Sequence, residues 1–164
     1  MIRLWYKGKM EKEFLAHEDI VRGFTEVPAL NGFASCSNDE MVKVWTMDGT
    51  HMMDYKGHNG FVFAIDTLET GEIVSAGDDC CVKIWDVGMC KQTIQMPRTV
   101  WGLSHNKMGD ILVGSEDKSI RTFTRDSARK DEGPALAEYQ EECKSGAKPQ
   151  GPDMSTLKEF STEI

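Results

Sequence analysis

Two sets of residues in this 164-residue chain have the side chains of a nucleophilic hydrolase. His17, Ser35 and Asp39 precede Trp45, and His58, Ser75 and Asp79 precede Trp85. A serine hydroxyl becomes a nucleophile when an imidazole takes its proton, and a carboxylate orients that imidazole. The spacing argues for a different role. Each Ser lies four residues before its Asp and ten before its Trp. A nucleophilic site is built once, with its own oxyanion hole, whereas here the whole set recurs. Neither Ser stands in the G-x-S-x-G turn that presents a hydrolase nucleophile. The better reading is a buried hydrogen-bond chain from Trp indole through Ser hydroxyl and imidazole to carboxylate. Such a chain satisfies polar groups inside a β-sheet unit. No catalytic residue is expected.

The elements that hold these residues repeat with the same period. Trp5, Trp45 and Trp85 are 40 residues apart, and Phe123 follows 38 later. The string D-x-x-[VI]-[KR]-x-[WF] recurs as "DEMVKVW", "DCCVKIW" and "DKSIRTF". His17 and His58 lie 28 and 27 residues before Trp45 and Trp85, introduced by Ala16 and Gly57. A period near 40 with a Gly-His start and a Trp finish marks WD-repeat propeller blades. "FVFAIDTL", "EIVSAG" and "CVKIW" are short, β-branched and aromatic, and bounded by Gly, Asp and Asn turns. Gly8, Gly49 and Gly88 follow each Trp as hairpin turns. About ten strands are expected up to Thr124. The third unit decays: Met96-Pro97 replace Gly-His, Val113 replaces Ser, Phe123 replaces Trp, and Asp117 alone remains.

Composition narrows the function classes. A net charge of -8 argues against sequence-independent nucleic-acid binding, which needs phosphate-neutralising basic patches. No apolar run reaches the roughly 20 residues of a membrane span, and no apolar signal region opens the chain. The five cysteines, Cys36, Cys80, Cys81, Cys90 and Cys143, form no C-x-x-C pair and have no His at ligand spacing. They read as reduced thiols in a cytosolic or nuclear protein, with Cys80 and Cys81 on opposite faces of a strand. No metal or cofactor is expected. After Thr124 the β pattern stops. Residues 134–143, "PALAEYQEEC", suit a helix opened by Pro134 and stopped by Ser-Gly. Residues 144–153 hold two prolines and two glycines and read as linker, in a tail after Thr124 that is acidic overall and reads beyond residue 144 as a partly disordered connector.

These residues carry a specific resemblance. "AHEDIVRGF", "SCSNDEMVKVW", "GHNGFVFAI", "KQTIQMPRTVW" and "GDILVGSEDKSIRTFT" run in the order found near the end of the propeller in the phospholipase A-2-activating protein family. The resemblance spans about residues 2–145, and "IQMPRTVW" is its most discriminating piece. It implies a seven-bladed propeller that binds ubiquitin on one face, followed by a ubiquitin-binding PFU domain. A helical PUL domain then docks on the AAA ATPase called valosin-containing protein. The PFU and PUL domains have no counterpart here, so ATPase docking would need domains outside this chain. The implied role is a non-enzymatic adaptor in ubiquitin homeostasis and ubiquitin-dependent degradation or sorting, in cytoplasm and nucleus. The alternative is another WD-repeat scaffold, such as a ubiquitin-ligase substrate receptor.

The expected fold is all-β, a propeller fragment of about three blades of seven with a short helical and disordered tail. An outer half-blade (1–15) precedes repeats at about 16–56, 57–95 and 96–124. A helix and linker follow at 125–164. "IRLW" aligns with "DEMVKVW" so that Met1 falls two residues past an absent turn aspartate, the mark of a half-blade. Repeat arrays need cover over their end faces, so the chain alone is expected to be marginal and prone to association. Register also places candidate partner-binding residues at one end of the repeats. Val21-Arg22, Val62-Phe63 and Val100-Trp101 align, and alternation points Arg22, Phe63 and Trp101 away from the valines. Asn38, Asp78 and Glu116, each just before its turn Asp, share that end. Phe63 and Trp101 have two readings: core aromatics between blades, or part of a ubiquitin-facing patch with Arg22.

Overall fold

The structure, a computed structural model, describes residues 1–126, 128 and 134–145. Thirteen strands run to Phe123 in antiparallel meanders. Strands β1 (Ile2–Tyr6) and β2 (Lys9–Phe14) form a two-stranded sheet. Strands β3 (Val21–Val27), β4 (Gly32–Ser37), β5 (Val42–Thr46) and β6 (His51–Tyr55) form the first full blade. Strands β7 (Val62–Thr67), β8 (Ile73–Gly77), β9 (Cys81–Asp86) and β10 (Met89–Gln95) form the second. The third unit has β11 (Val100–His105), β12 (Ile111–Ser115) and β13 (Ile120–Phe123). The sequence reading of about ten strands was too low. The outer strands β2, β6 and β10 are exposed on most positions of both faces, so they lack the period-2 alternation that marks a half-buried strand.

The cores lie between blades. Val27, Ala34, Cys36, Val42, Val44 and Tyr55 of the first blade pack on Val62, Ile73 and Trp85 of the second. Leu68, Val74, Ala76, Val82 and Ile84 pack in turn on Met96, Val100, Ile111 and Val113. Each fully buried aliphatic side chain contributes about 1.5–3 kcal/mol, so these seams are the main source of stability. The β1–β2 sheet seats on the first blade through Phe14, whose ring centroid is 5.0 Å from that of Trp45. Gly49 (φ +76) makes that seat possible: a Cβ there would stand 2.6 Å from the Phe14 ring. The same cross-strand position is buried as Val42 and Val82 but 78 % exposed as Ile120. Phe24 is 79 % exposed, whereas its register equivalents Ile65 and Leu103 pack into the seams.

Helix α1 (Pro134–Ser145) packs on the third unit. Tyr139 lies against Phe123 with centroids 6.2 Å apart, and the Arg121 guanidinium sits 5.3 Å over the Tyr139 ring. The Tyr139 hydroxyl donates to the Gln95 carbonyl, and Cys143 Sγ lies 3.4 Å from the same oxygen. The helix runs two residues past the expected 134–143, so Lys144 and Ser145 belong to it and not to the linker. Lys144 in the last turn complements the helix dipole, which favours that extension. The rest of the expected linker, from residue 146 on, lies outside the described residues. Among the described residues no helix is long and apolar enough to cross a membrane.

Candidate functional site

One turn repeats at the same end of all three units. It runs Asn38-Asp39-Glu40, Asp78-Asp79-Cys80 and Glu116-Asp117-Lys118, with the last residue left-handed at φ 67, 56 and 67. The aspartate closes the turn by accepting a backbone N–H two residues on: Met41, Cys81 and Ser119, at 3.1, 3.2 and 3.0 Å. The first residue of each turn donates its N–H to the carbonyl before the innermost strand, at Ile20, Phe61 and Thr99. Cys80 therefore sits in the turn and only Cys81 lies in a strand, so the two do not occupy opposite strand faces.

The structure brings both residue sets together as continuous hydrogen-bond chains. Trp45 Nε1–H donates to Ser35 Oγ at 2.9 Å, and Ser35 Oγ lies 2.8 Å from His17 Nε2. His17 Nδ1 lies 2.8 Å from Asp39 Oδ2. The second chain runs Trp85, Ser75, His58 and Asp79 at 2.7, 2.7 and 2.8 Å. The proton order follows from the ends. An indole can only donate and a carboxylate can only accept, so each serine donates to Nε2 and each Nδ1–H donates to the aspartate. Both serines are 0 % exposed, with both sides of the hydroxyl engaged. Gly57 (φ +148) lets the Trp85 ring lie against the His58 turn, where a Cβ would meet it at 3.3 Å.

Burial pushes the His17 imidazole below its ordinary value, against the opposing pull of Asp39. Burial alone would raise Asp39, but the Glu18 N–H, the His17 ring and the Met41 N–H together hold it below the usual carboxylate range. Asp79 is depressed in the same way, by His58 and the N–H groups of Asn59 and Cys81 against burial. The third unit has no such chain. Asp117 still closes its turn and pairs with Arg121 Nη1 at 2.5 Å and Ser119 Oγ at 2.6 Å. These bonds outweigh burial and depress its carboxyl.

The candidate patch assembles beside these turns. Strands β3, β7 and β11 lie side by side, and each carries a bulge at the same place. The extra residues are Arg22, Phe63 and Trp101. A bulge frees a residue from the ladder and re-aims its side chain. The simple pleat alternation inferred from sequence is therefore not what turns these three outward. They form one ladder. The Arg22 guanidinium lies 5.4 Å over the Phe63 ring, and Phe63 stacks on Trp101 at 4.7 Å and 6°. Phe61 adds an edge contact to Phe63 at 6.2 Å. Arg22 Nε donates to Asn38 Oδ1 at 2.7 Å, which fixes the guanidinium plane. Phe63 is half-buried and Trp101 is 60 % exposed.

Asn38, Asp78 and Glu116 all sit in the turns at this end, Asn38 buried and the two acids exposed. Asp78 reaches the next unit, accepting from Thr99 Oγ1 at 3.3 Å. Sequence reasoning missed Phe61 and the bulges. A signal was available in Val21-Arg22-Gly23, Val62-Phe63-Ala64 and Val100-Trp101-Gly102, where a small residue always follows the displaced one. At Gly23 the packing is close, since a Cβ there would meet Cys36 Sγ at 3.3 Å, whereas one at Gly102 would meet open space. Among the described residues no group of three His, Cys, Asp or Glu side chains is placed to hold a metal ion.

The family described as WD domain, G-beta repeat matches residues 8–46, 49–86 and 88–123. Each matched stretch takes an outer strand of one sheet and the three inner strands of the next, so consecutive repeats interlock. The ubiquitin homeostasis protein lub1 of Schizosaccharomyces pombe is 38% identical over 135 residues, 81% of this chain and 18% of that protein. The crystal structure of the WD40 beta propeller domain of Doa1 matches with a TM-score of 0.74 and 38% identity, over 79% of this chain and 45% of that one. Subunit I of eukaryotic translation initiation factor 3 from Caenorhabditis elegans is 37% identical over 112 residues, 60% of this chain and 34% of that protein. The chain thus spans less than half the length of each of these relatives.

Proposed function

Because this chain belongs to the WD40-repeat family and is similar to members of the phospholipase A-2-activating protein family, we propose that it is a non-enzymatic, ubiquitin-binding adaptor in ubiquitin homeostasis and ubiquitin-dependent degradation or sorting. The observation that carries this reading is the ladder of Arg22, Phe63 and Trp101, an exposed aromatic and guanidinium surface beside polar turn residues. Aromatic and arginine side chains ringed by polar groups are the composition of interface hot spots. The non-enzymatic part rests on the sealed serines, whose hydroxyls are buried and doubly engaged. A role with an AAA segregase would belong to a longer form carrying an ATPase-docking domain. Cytoplasm and nucleus are the proposed compartments.

Calorimetric titration of ubiquitin into the wild-type chain and a Phe63→Ala, Trp101→Ala double variant tests the reading. Wild-type binding that falls at least about tenfold in the double variant supports it. Unchanged affinity with an intact β-sheet spectrum refutes it.

A further inference from the structure

Within the ladder, Phe63 has no face left for a partner. It stands on β7 between Arg22 of β3 and Trp101 of β11. The guanidinium lies 5.4 Å over its ring on one side, and the indole stacks at 4.7 Å on the other. Phe61, two residues earlier, is placed differently. It meets Phe63 edge-on at 6.2 Å and 65°, and it is 43 % exposed. Phe61 belongs to the second blade, whose seams with the first blade and with the third unit are both packed in this chain. Its exposure is therefore that of a fully flanked blade. The fold does not require an aromatic ring there. The Phe61 carbonyl takes the Asp78 N–H, a backbone bond that recurs at Ile20 and Thr99 with the Asn38 and Glu116 N–H groups. In the third unit a buried threonine fills the position, its hydroxyl bonded to Asp78. An exposed phenyl that the fold does not need, joined to a cluster of aromatic and guanidinium groups, is apolar surface of the kind a partner covers.

We propose that Phe61 is the partner-contacting aromatic of the second blade and that Phe63 is a positioning residue, a post whose filled faces fix Arg22 and brace the Phe61 ring. Phe61 and the edge of Phe63 meet at a corner that receives an aliphatic side chain of ubiquitin. The walls of that corner are ring carbons, and the Phe61 carbonyl beside them is already bonded to Asp78. Methyl groups covered there leave water without displacing a polar partner. This inference rests on the reading of the ladder as the ubiquitin-binding surface, and it names the residue that makes the contact and the chemistry it selects.

The test titrates ubiquitin into the 164-residue chain and into its Phe61→Thr variant, which installs the side chain that the third unit carries at this position. Affinity should fall about tenfold while the urea midpoint stays unchanged. Phe61→Leu, apolar but without a ring, should lose less than Phe61→Thr. Methyl-labelled ubiquitin supplies a direct signature. A methyl held against a ring face shifts upfield in the complex with the wild-type chain, and this shift should vanish with Phe61→Thr. Phe63→Ala should diminish the same shift although residue 61 is unchanged, and Phe63→Tyr, which keeps the stack, should retain it. Phe63→Ala should also cost less affinity on the Phe61→Thr background than on the wild-type chain. If Phe61→Thr binds as the wild type does while the Phe63→Ala, Trp101→Ala chain binds weakly, the assignment to Phe61 is overturned and the ubiquitin reading stands. A urea midpoint that falls with the affinity, or a methyl shift that survives Phe61→Thr, overturns it as well. Strictly additive losses at Phe61 and Phe63 overturn the positioning role. Absence of ubiquitin binding to the wild-type chain would remove both the inference and the reading beneath it.

Discussion

The second blade and the third unit solve one problem in two ways. Both must hold an acidic turn against the outer part of a three-stranded core. The second blade does so from inside, with Trp85 of β9, Ser75 of β8, Asp79 of the turn between them and His58 of the incoming loop linked in one chain. The third unit has Val113, Met96 and Phe123 at the Ser, Gly-His and Trp positions, and it is held from outside. Tyr139 of α1 packs on Phe123, donates to the Gln95 carbonyl and lies under Arg121, which binds Asp117. The aspartate outlasts the rest of the set for a local reason. Asp117 still closes the turn through the Ser119 N–H, a local task that needs no histidine.

The largest effect that separates the two should come from His58→Ala. It strands the Ser75 hydroxyl and Asp79 in a buried site and leaves a cavity, at a cost of about 3 kcal/mol in urea unfolding. The matching change in the third unit, Val113→Ser, should restore nothing. Without an imidazole or indole to engage it, the new hydroxyl is buried unpaired and costs about 1–2 kcal/mol. A stabilised Val113→Ser chain would contradict the external-clamp account.

Tyr139→Ala should come next, at about 2 kcal/mol, and Tyr139→Phe at about 1 kcal/mol for the hydroxyl alone. The loss should be regional. Amide-exchange protection in β11–β13 should drop while β3–β9 keep theirs, since local cooperative units open separately. Uniform loss across all blades would mean that α1 supports the whole array.

Acid should distinguish the regions more gently. The His17 imidazole is held below its ordinary value by burial, so the unfolded chain takes up its proton first. That contribution is present above about pH 6.5 and is lost as pH falls below it. Asp39, Asp79 and Asp117 are depressed carboxyls, so their contribution is present above about pH 4 and is lost as pH falls further. Exchange protection in the first blade should therefore decline between pH 7 and 5, while β12–β13 decline only near pH 4. A His17→Gln chain with an unchanged slope between pH 7 and 5 would break this assignment.

Much of this was legible in the residues. The 40-residue period, the Gly hairpins and the recurrent Ser, His and Asp offsets follow from one repeating unit, and repetition makes a pattern visible where a single copy would not be. The ladder was half legible. Register aligned Arg22, Phe63 and Trp101, but the bulges that aim them depend on a mismatch between two strands that neither strand shows alone. The outer strands were hidden because exposed faces carry no alternation. The role of Tyr139 was hidden for another reason. Its contact with Gln95 joins residues 44 apart in sequence, across a seam between unlike elements, and no local pattern encodes that.

Two sets of residues share one end of the molecule: the turn chains hold the fold, and the bulge ladder is the proposed partner surface. Trp101→Ala, measured in both urea unfolding and ubiquitin titration, tests that division most directly. Its exposed ring makes one stacking contact, so the unfolding free energy should fall by no more than about 1 kcal/mol while ubiquitin affinity falls at least about tenfold. A chain that loses several kcal/mol of stability yet binds ubiquitin as the wild type does would contradict it.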